Sequence, residues 1–420
     1  MSVAPLDLSK ARLSPSAVGG LGNIAKHAAK STAARRAAAL TLAADEARRL
    51  RFALQESAGL LVPHERVQRC CRWLAPKETH VQVKYSAGEQ RAHYSGLVVC
   101  GSVWLCPVCS VRVAEERRRE LAAAVAACHD GGGSILHVTY TVRHGQGDEL
   151  QGLLDRFVSS YRRLTGHRTY REELRPGYQI FGSVRGLEVT HGENGWHPHY
   201  HVLLFLSQEL TPKQLRQLER RLRDLWQRSA LKDGLTMNDA GLNIRATKGA
   251  IGDYITKYGR DPKLDPWGVE SELAKSHVKT GRKGSRTPWD MLREFTDSND
   301  GPSAHLWREY ATVFKGRQQL VWSPGLRAVL GLLDVKTDAE AAAALPLDAV
   351  ELGWVSLADW HLVLRYRQRA ALLDLAGGGE WPPCLAFLFT LRARYKAERV
   401  LRGLEALPAP PRPKQYVLFA

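Results

Sequence analysis

Three histidines occupy alternate positions in HPHYH: His197, His199 and His201. Alternate side chains of a strand share one face. His199 and His201 can therefore reach one metal ion while Tyr200 points the other way. His197 lies on the same face, one step nearer a turn at GENG (192–195). A hairpin through that turn brings Glu188 roughly opposite His199 or His201. A carboxylate beside two imidazoles suits Mg²⁺ or Mn²⁺ in an open site, where phosphate supplies further ligands. The apolar run VLLFL follows directly, which argues against a casual pair of exposed histidines.

Downstream, YITKY sets Tyr254 and Tyr258 on one helical face, with Lys257 between them in angle. A phenol with pKa near 10 is a poor nucleophile without a metal or a cation. Lys257 could supply that cation or hold a scissile phosphate. Taken alone, YITKY reads more simply as core packing; the histidine strand upstream reverses the balance. A third cluster is CGSVWLCPVC, with Cys100, Cys106 and Cys109. The Pro-containing turn of CPVC lets two thiolates face one zinc ion. Cys71 or Cys70 is the expected fourth ligand, and we take Cys71; His93 and His129 are alternatives. Cys384 stands apart as a core residue.

Around these residues the elements read as follows. Residues 1–63 form an Ala-rich basic arm, helical or partly disordered. Residues 64–130 hold the cysteines, the strand His80–Ala87 and the helix Val111–Cys128. The pattern then runs strand (Ser134–Val142), helix (Glu149–Leu164), strand (Tyr178–Thr190), strand (Trp196–Leu206), helix (Thr211–Ala230), short strand (GLNIRAT) and short helix (Lys248–Gly259). This order favours an antiparallel sheet flanked by helices, an α+β fold of ferredoxin-like or RRM-like type. It spans 131–265. Residues 266–334 mix loop and helix, and 335–420 read as helical.

The chain has 420 residues and a net charge of +17. Excess Lys and Arg points to a polyanion partner, nucleic acid first. KSHVKTGRKGSR carries Lys275, Lys279, Arg282, Lys283 and Arg286 with no acid, as a phosphate-binding loop would. Arg117, Arg118 and Arg119 lie on different sides of their helix, so two of them could face DNA. Trp196, Trp289 and Trp307 are candidates for stacking on unpaired bases, each better read as core. His144 either contacts DNA, buttresses the site or is an ordinary surface residue. No stretch is apolar enough to span a bilayer, and the N-terminus lacks a signal-peptide core. The expected location is the bacterial cytoplasm. Seven bunched cysteines without an export signal fit metal ligation better than disulfides.

LHVTYTVRH, HPHYHVLL and YITKY, in that order, resemble the three motifs of the HUH endonucleases, and more closely those of bacterial plasmid rolling-circle replication initiators. CGSVWLCPVC, GSRTPWDML and LWREYATVFKGRQQLVWSPGL resemble further elements of those Rep proteins. The resemblance covers about 65–330. It implies an HUH domain preceded by a zinc-ribbon element, and site-specific nicking and joining of single-stranded origin DNA. His199 and His201 would bind the metal, with Glu188 the third ligand and His197 its competitor. Tyr258 would attack the phosphodiester and become linked to the 5′-phosphate. Tyr254 would be the second tyrosine, with Asp253 keeping open a water-activating variant. The implied partners are origin DNA and a host helicase and polymerase. The alternatives are a two-tyrosine HUH transposase or relaxase, and a non-enzymatic zinc-ribbon DNA-binding regulator.

Overall fold

The computed structural model describes residues 45–246, 284–332 and 335–402. In chain order the main elements are a helix over 47–61 (α1), β1 (His80–Ser86), β2 (Arg91–Ser95), α2 (Pro107–Asp130), β3 (Ser134–Thr141) and α3 (Leu150–Gly166). Next come β4 (Ile180–Gly192), β5 (Gly195–Leu206), α4 (Pro212–Lys232), β6 (Leu242–Ala246), α5 (Pro288–Ser298), α6 (Gly301–Phe314) and β7 (Leu320–Trp322). The last are β8 (Val350–Ser356), α7 (Leu357–Arg365), α8 (Arg369–Ala376) and α9 (Pro382–Leu401).

The fold is mixed helix and sheet, as expected, and its paired strands are antiparallel. One sheet has the order β6-β3-β5-β4-β7. The connection β3-α3-β4 leaves a gap that β5 fills by returning from the hairpin, the split arrangement read from the element order. Gly195 closes that hairpin at φ +81, where a side chain would also press on the Gly145 carbonyl. Thr211 and Gln214 form a capping box that starts α4, with Pro212 in its first turn.

Strand alternation separates the two faces. Tyr140, Tyr200, Val202 and Leu204 face α3 and α4, where they meet Phe157 and Trp226 in one core. Ile135, Leu203, Phe205 and Val184 face the other way, against Leu121, Ala124 and Val125 of α2. His199 and His201 continue this second face along β5, beyond its apolar half.

A second sheet has the order β2-β1-β8. β8 lies in a region read as helical from sequence. VELGWVS alternates as a strand does, and β1 offers it an edge, with Val81 opposite Val355. Leu54, Ala58 and Leu61 of α1 are buried in the main core. No helix among the described residues is long and apolar enough to cross a membrane.

Trp226 ties the main core together. It is fully buried, packs edge-on against Tyr140 and Phe157, and donates its indole N–H to the Thr141 carbonyl at 3.1 Å. Trp226→Ala should cost about 3–5 kcal/mol of stability, seen as a fall in urea midpoint. An unchanged midpoint would contradict this packing.

Candidate metal centres

The β4–β5 register places Glu188 directly opposite His199, and Gly186 opposite His201. Both imidazole Nε2 atoms meet one carboxylate oxygen, Glu188 Oε2. The His201 contact is 2.9 Å, and the His199 contact is a short, charge-assisted hydrogen bond. The other ring nitrogens face protein. His199 Nδ1 lies 3.3 Å from the His197 carbonyl, and His201 Nδ1 lies 3.1 Å from His137 Nε2 and 3.3 Å from Thr139 Oγ1. Second partners of this kind fix ring orientation and direct both Nε2 atoms at one point. One ligand atom from each of Glu188, His199 and His201 falls within a 4.8 Å set that could hold a metal ion.

Burial opposes charge on Glu188, but His199 and then His201 outweigh it and hold the carboxyl well below its usual range. Burial likewise opposes charge on His199, and Glu188 raises its pKa overall. His197 stands outside the set, a correction to its placement among the ligands. It faces Thr190 rather than a carboxylate, and its ring stacks on His144 with centroids 4.5 Å apart. Burial first, then the neighbouring His199 and His144, push its pKa down to about 4. His144 thus lies beside the site, stacked on His197.

The second cluster joins Cys70, Cys100, Cys106 and Cys109, all buried. Cys106 is the N-cap residue of α2 and Cys109 lies in its first turn, so both sulfurs sit at one helix N-terminus. Sulfur separations are 3.4 Å for Cys70–Cys109, 3.6 Å for Cys100–Cys109 and 3.7 Å for Cys70–Cys106. Four sulfurs at about 2.3 Å from one tetrahedral ion stand about 3.8 Å apart, so the donor set fits such an ion. The neighbouring sulfurs, Cys100 foremost, push the Cys70 thiol far above its ordinary range. A second thiolate here is repelled unless a cation neutralises it.

Cys70 thus takes the place expected of Cys71. Cys71 turns aside at φ +51 while its N–H bonds to the Val98 carbonyl, leaving its sulfur 3.8 Å from that of Cys70 and outside the set. His93 and His129 are also elsewhere, against Glu89 and the Gly133 carbonyl.

Tyr254, Tyr258, Lys257 and Asp253 lie outside the described residues, as do Lys275, Lys279, Arg282 and Lys283. Arg286 is described: its backbone bridges to His191, and its guanidinium reaches Glu294 at 2.8 Å and Ser303 at 3.2 Å. Arg117, Arg118 and Arg119 pair with carboxylates on or beside their own helix. Trp196 and Trp307 are core residues and Trp289 packs against that core, so none is an open stacking platform. Sequence reasoning missed His137. The signal was its alternation with Thr139 and Thr141 on β3, which pairs it onto the histidine face of β5.

The model of the replication protein family matches residues 97–298. Over that segment the chain is similar to the replication protein family. It contains Cys100, Cys106, Cys109, Glu188, His199 and His201, but not Cys70. The chain is 28% identical to "Protein rep" of Streptomyces lividans, over 64% of this chain and 73% of that protein. It is 28% identical to "Protein rep" of Bacillus amyloliquefaciens, over 51% of this chain and 62% of the relative. It is 34% identical to "Neomycin resistance protein" of Streptomyces cyanogenus, over 27% of this chain and 31% of the relative. The chain thus spans less than two thirds of the latter two. No solved structure matches.

The histidine hairpin is braced from behind. Glu309 of α6 accepts the Trp196 indole N–H at 2.9 Å and the Leu150 backbone N–H at 2.9 Å. Glu309→Leu leaves both donors unpaired and should lower stability by about 2–4 kcal/mol. Glu309→Gln, which keeps an acceptor, should recover much of that. Equal urea midpoints for Glu309→Leu and the parent chain would contradict the bracing role.

Proposed function

We propose that this chain initiates rolling-circle replication of a plasmid by nicking and rejoining single-stranded DNA at the origin. The observation that carries the reading is the convergence of His199 and His201 on Glu188, inside the segment that the replication protein family model matches. Two imidazoles and one carboxylate suit Mg²⁺ or Mn²⁺. Such an ion, when bound, would polarise the scissile phosphate and offset charge developing on its oxygens.

The chain's own residues do the rest in this reading. His199 and His201 present Nε2, Glu188 supplies charge, and His137 and Thr139 hold the His201 ring. Tyr258 is the nucleophile: its phenolic oxygen bonds to phosphorus, the bond to the 3′ oxygen breaks, and the proton lost by the phenol is balanced by one gained at the freed 3′-OH. Lys257 offsets charge beside the phenol. In the later joining step the Tyr254 oxygen bonds to phosphorus at the regenerated origin and frees a 3′-OH, which attacks the phosphate held on Tyr258 and releases that phenol as the circle closes. Each step exchanges one phosphodiester for another, so no ATP is consumed. Lys275, Lys279, Arg282, Lys283 and Arg286 hold DNA phosphates through charge, and binding falls with salt. The four-cysteine cluster carries Zn²⁺ as a structural ion. Host helicase and polymerase would follow the nick. In this reading the fold is an HUH domain and the cysteine region a zinc-ribbon element.

Supercoiled DNA carrying the cognate origin tests the reading. With Mg²⁺ or Mn²⁺ the chain should convert it to open circles, and chelation should stop conversion. His199→Ala and His201→Ala should each slow nicking about 100-fold or more. Nicking at parental rate by the double variant would sink the proposal.

A further inference from the structure

Arg369, at the start of α8, is 1% exposed, and it is the most deeply buried charged residue among those described. One guanidinium nitrogen donates to Gln55 Oε1 at 2.6 Å and to the Cys71 carbonyl at 3.2 Å. The other donates to Glu56 at 3.1 Å and to the Phe52 carbonyl at 3.3 Å, and the guanidinium lies over the Phe52 ring. Its Nε is buried with no hydrogen-bond partner among the described residues.

These contacts lead to the cysteine centre by two routes. Gln55 spends its oxygen on Arg369, which turns its Nε2 onto Cys106 Sγ at 3.3 Å. The Cys71 carbonyl belongs to the left-handed turn that separates Cys71 from Cys70. Arg369 therefore steadies two of the four sulfurs without touching either. Charge points the same way. Glu56 is shared with Arg367 at 3.2 Å, so two guanidiniums divide one carboxylate. Four thiolates around one divalent ion carry a net negative charge of two, the complement that the buried cation needs.

We propose that Arg369 is a positioning residue of the four-cysteine centre, and that metal at that centre and the docking of 350–402 stabilise each other. The inference rests on the zinc reading above. Such coupling is reciprocal: whatever loosens one loosens the other. Gln55 and Arg369 both fall outside the segment 97–298, so the centre is a joint between that segment and the two ends of the described chain.

The test uses the full chain. Metal content is first measured by elemental analysis; a parent chain without zinc overturns both the zinc reading and this inference. In a zinc-loaded parent, transfer to a competing chromophoric chelator gives a rate. Arg369→Met should raise that rate about tenfold or more, the size expected for a lost outer partner. Gln55→Leu should act in the same direction. Arg369→Lys, which keeps charge but loses the fork, should fall between. Hydrogen exchange on chelator-stripped parent chain should rise in 47–61 and 350–402 while 134–141 and 195–206 stay protected. This arm decides the matter should Arg369→Met fail to fold. Equal zinc release from parent and Arg369→Met, or unchanged exchange in 350–402 after stripping, would overturn the inference with the zinc reading intact.

Discussion

Glu188 and His199 face each other across two antiparallel strands, and the whole site follows from that register. A shift of one residue between β4 and β5 would turn the imidazoles to the helix-covered face and put Tyr200 in their place. The register is held at both ends. Gly195 sets the turn, and apolar pairing of Val184 with Leu203 locks the far half against α2. The same strand thus spends one stretch of its face on core and the next on chemistry. The carboxylate–imidazole set holds against burial: desolvation opposes charge on Glu188, and the two facing imidazoles outweigh it.

The cysteine cluster plays the corresponding part for the second sheet. It sits at the N-terminus of α2, and the C-terminal half of that helix covers the apolar half of the site face. One helix therefore links the two centres. β8 and the helices after it close the outer side of this region, so sequence-distant segments share one core.

Much of this was legible in the sequence where the signal is local. Alternation in HPHYH, the GENG turn and the capping residues of α4 place strands, hairpin and helix with ends shifted by a residue or two. The pairing of Glu188 with His199 follows from counting back through the turn. Choices between neighbours were less legible. Cys70 and Cys71 are equivalent in any pattern, and only the backbone turn at Cys71 separates them. His197 shares the face of the ligands, but no carboxylate lies opposite it. Long-range pairing was not legible: β8 needs β1 as its partner, and the alternation in VELGWVS does not say which strand that is. Arg369 carries no motif, because its role comes from a pocket assembled by distant segments.

The proposed chemistry turns on one bond, between the Tyr258 oxygen and a DNA phosphorus. Its most direct measurement is peptide mass spectrometry after reaction of the full chain with an origin oligonucleotide that traps the cleaved 5′ end. A nucleotide mass is expected on Tyr258, formed only when a divalent ion is present and absent from His199→Ala, His201→Ala protein. Strand cleavage with no covalent adduct, or with the adduct on a residue other than Tyr258 or Tyr254, would contradict it.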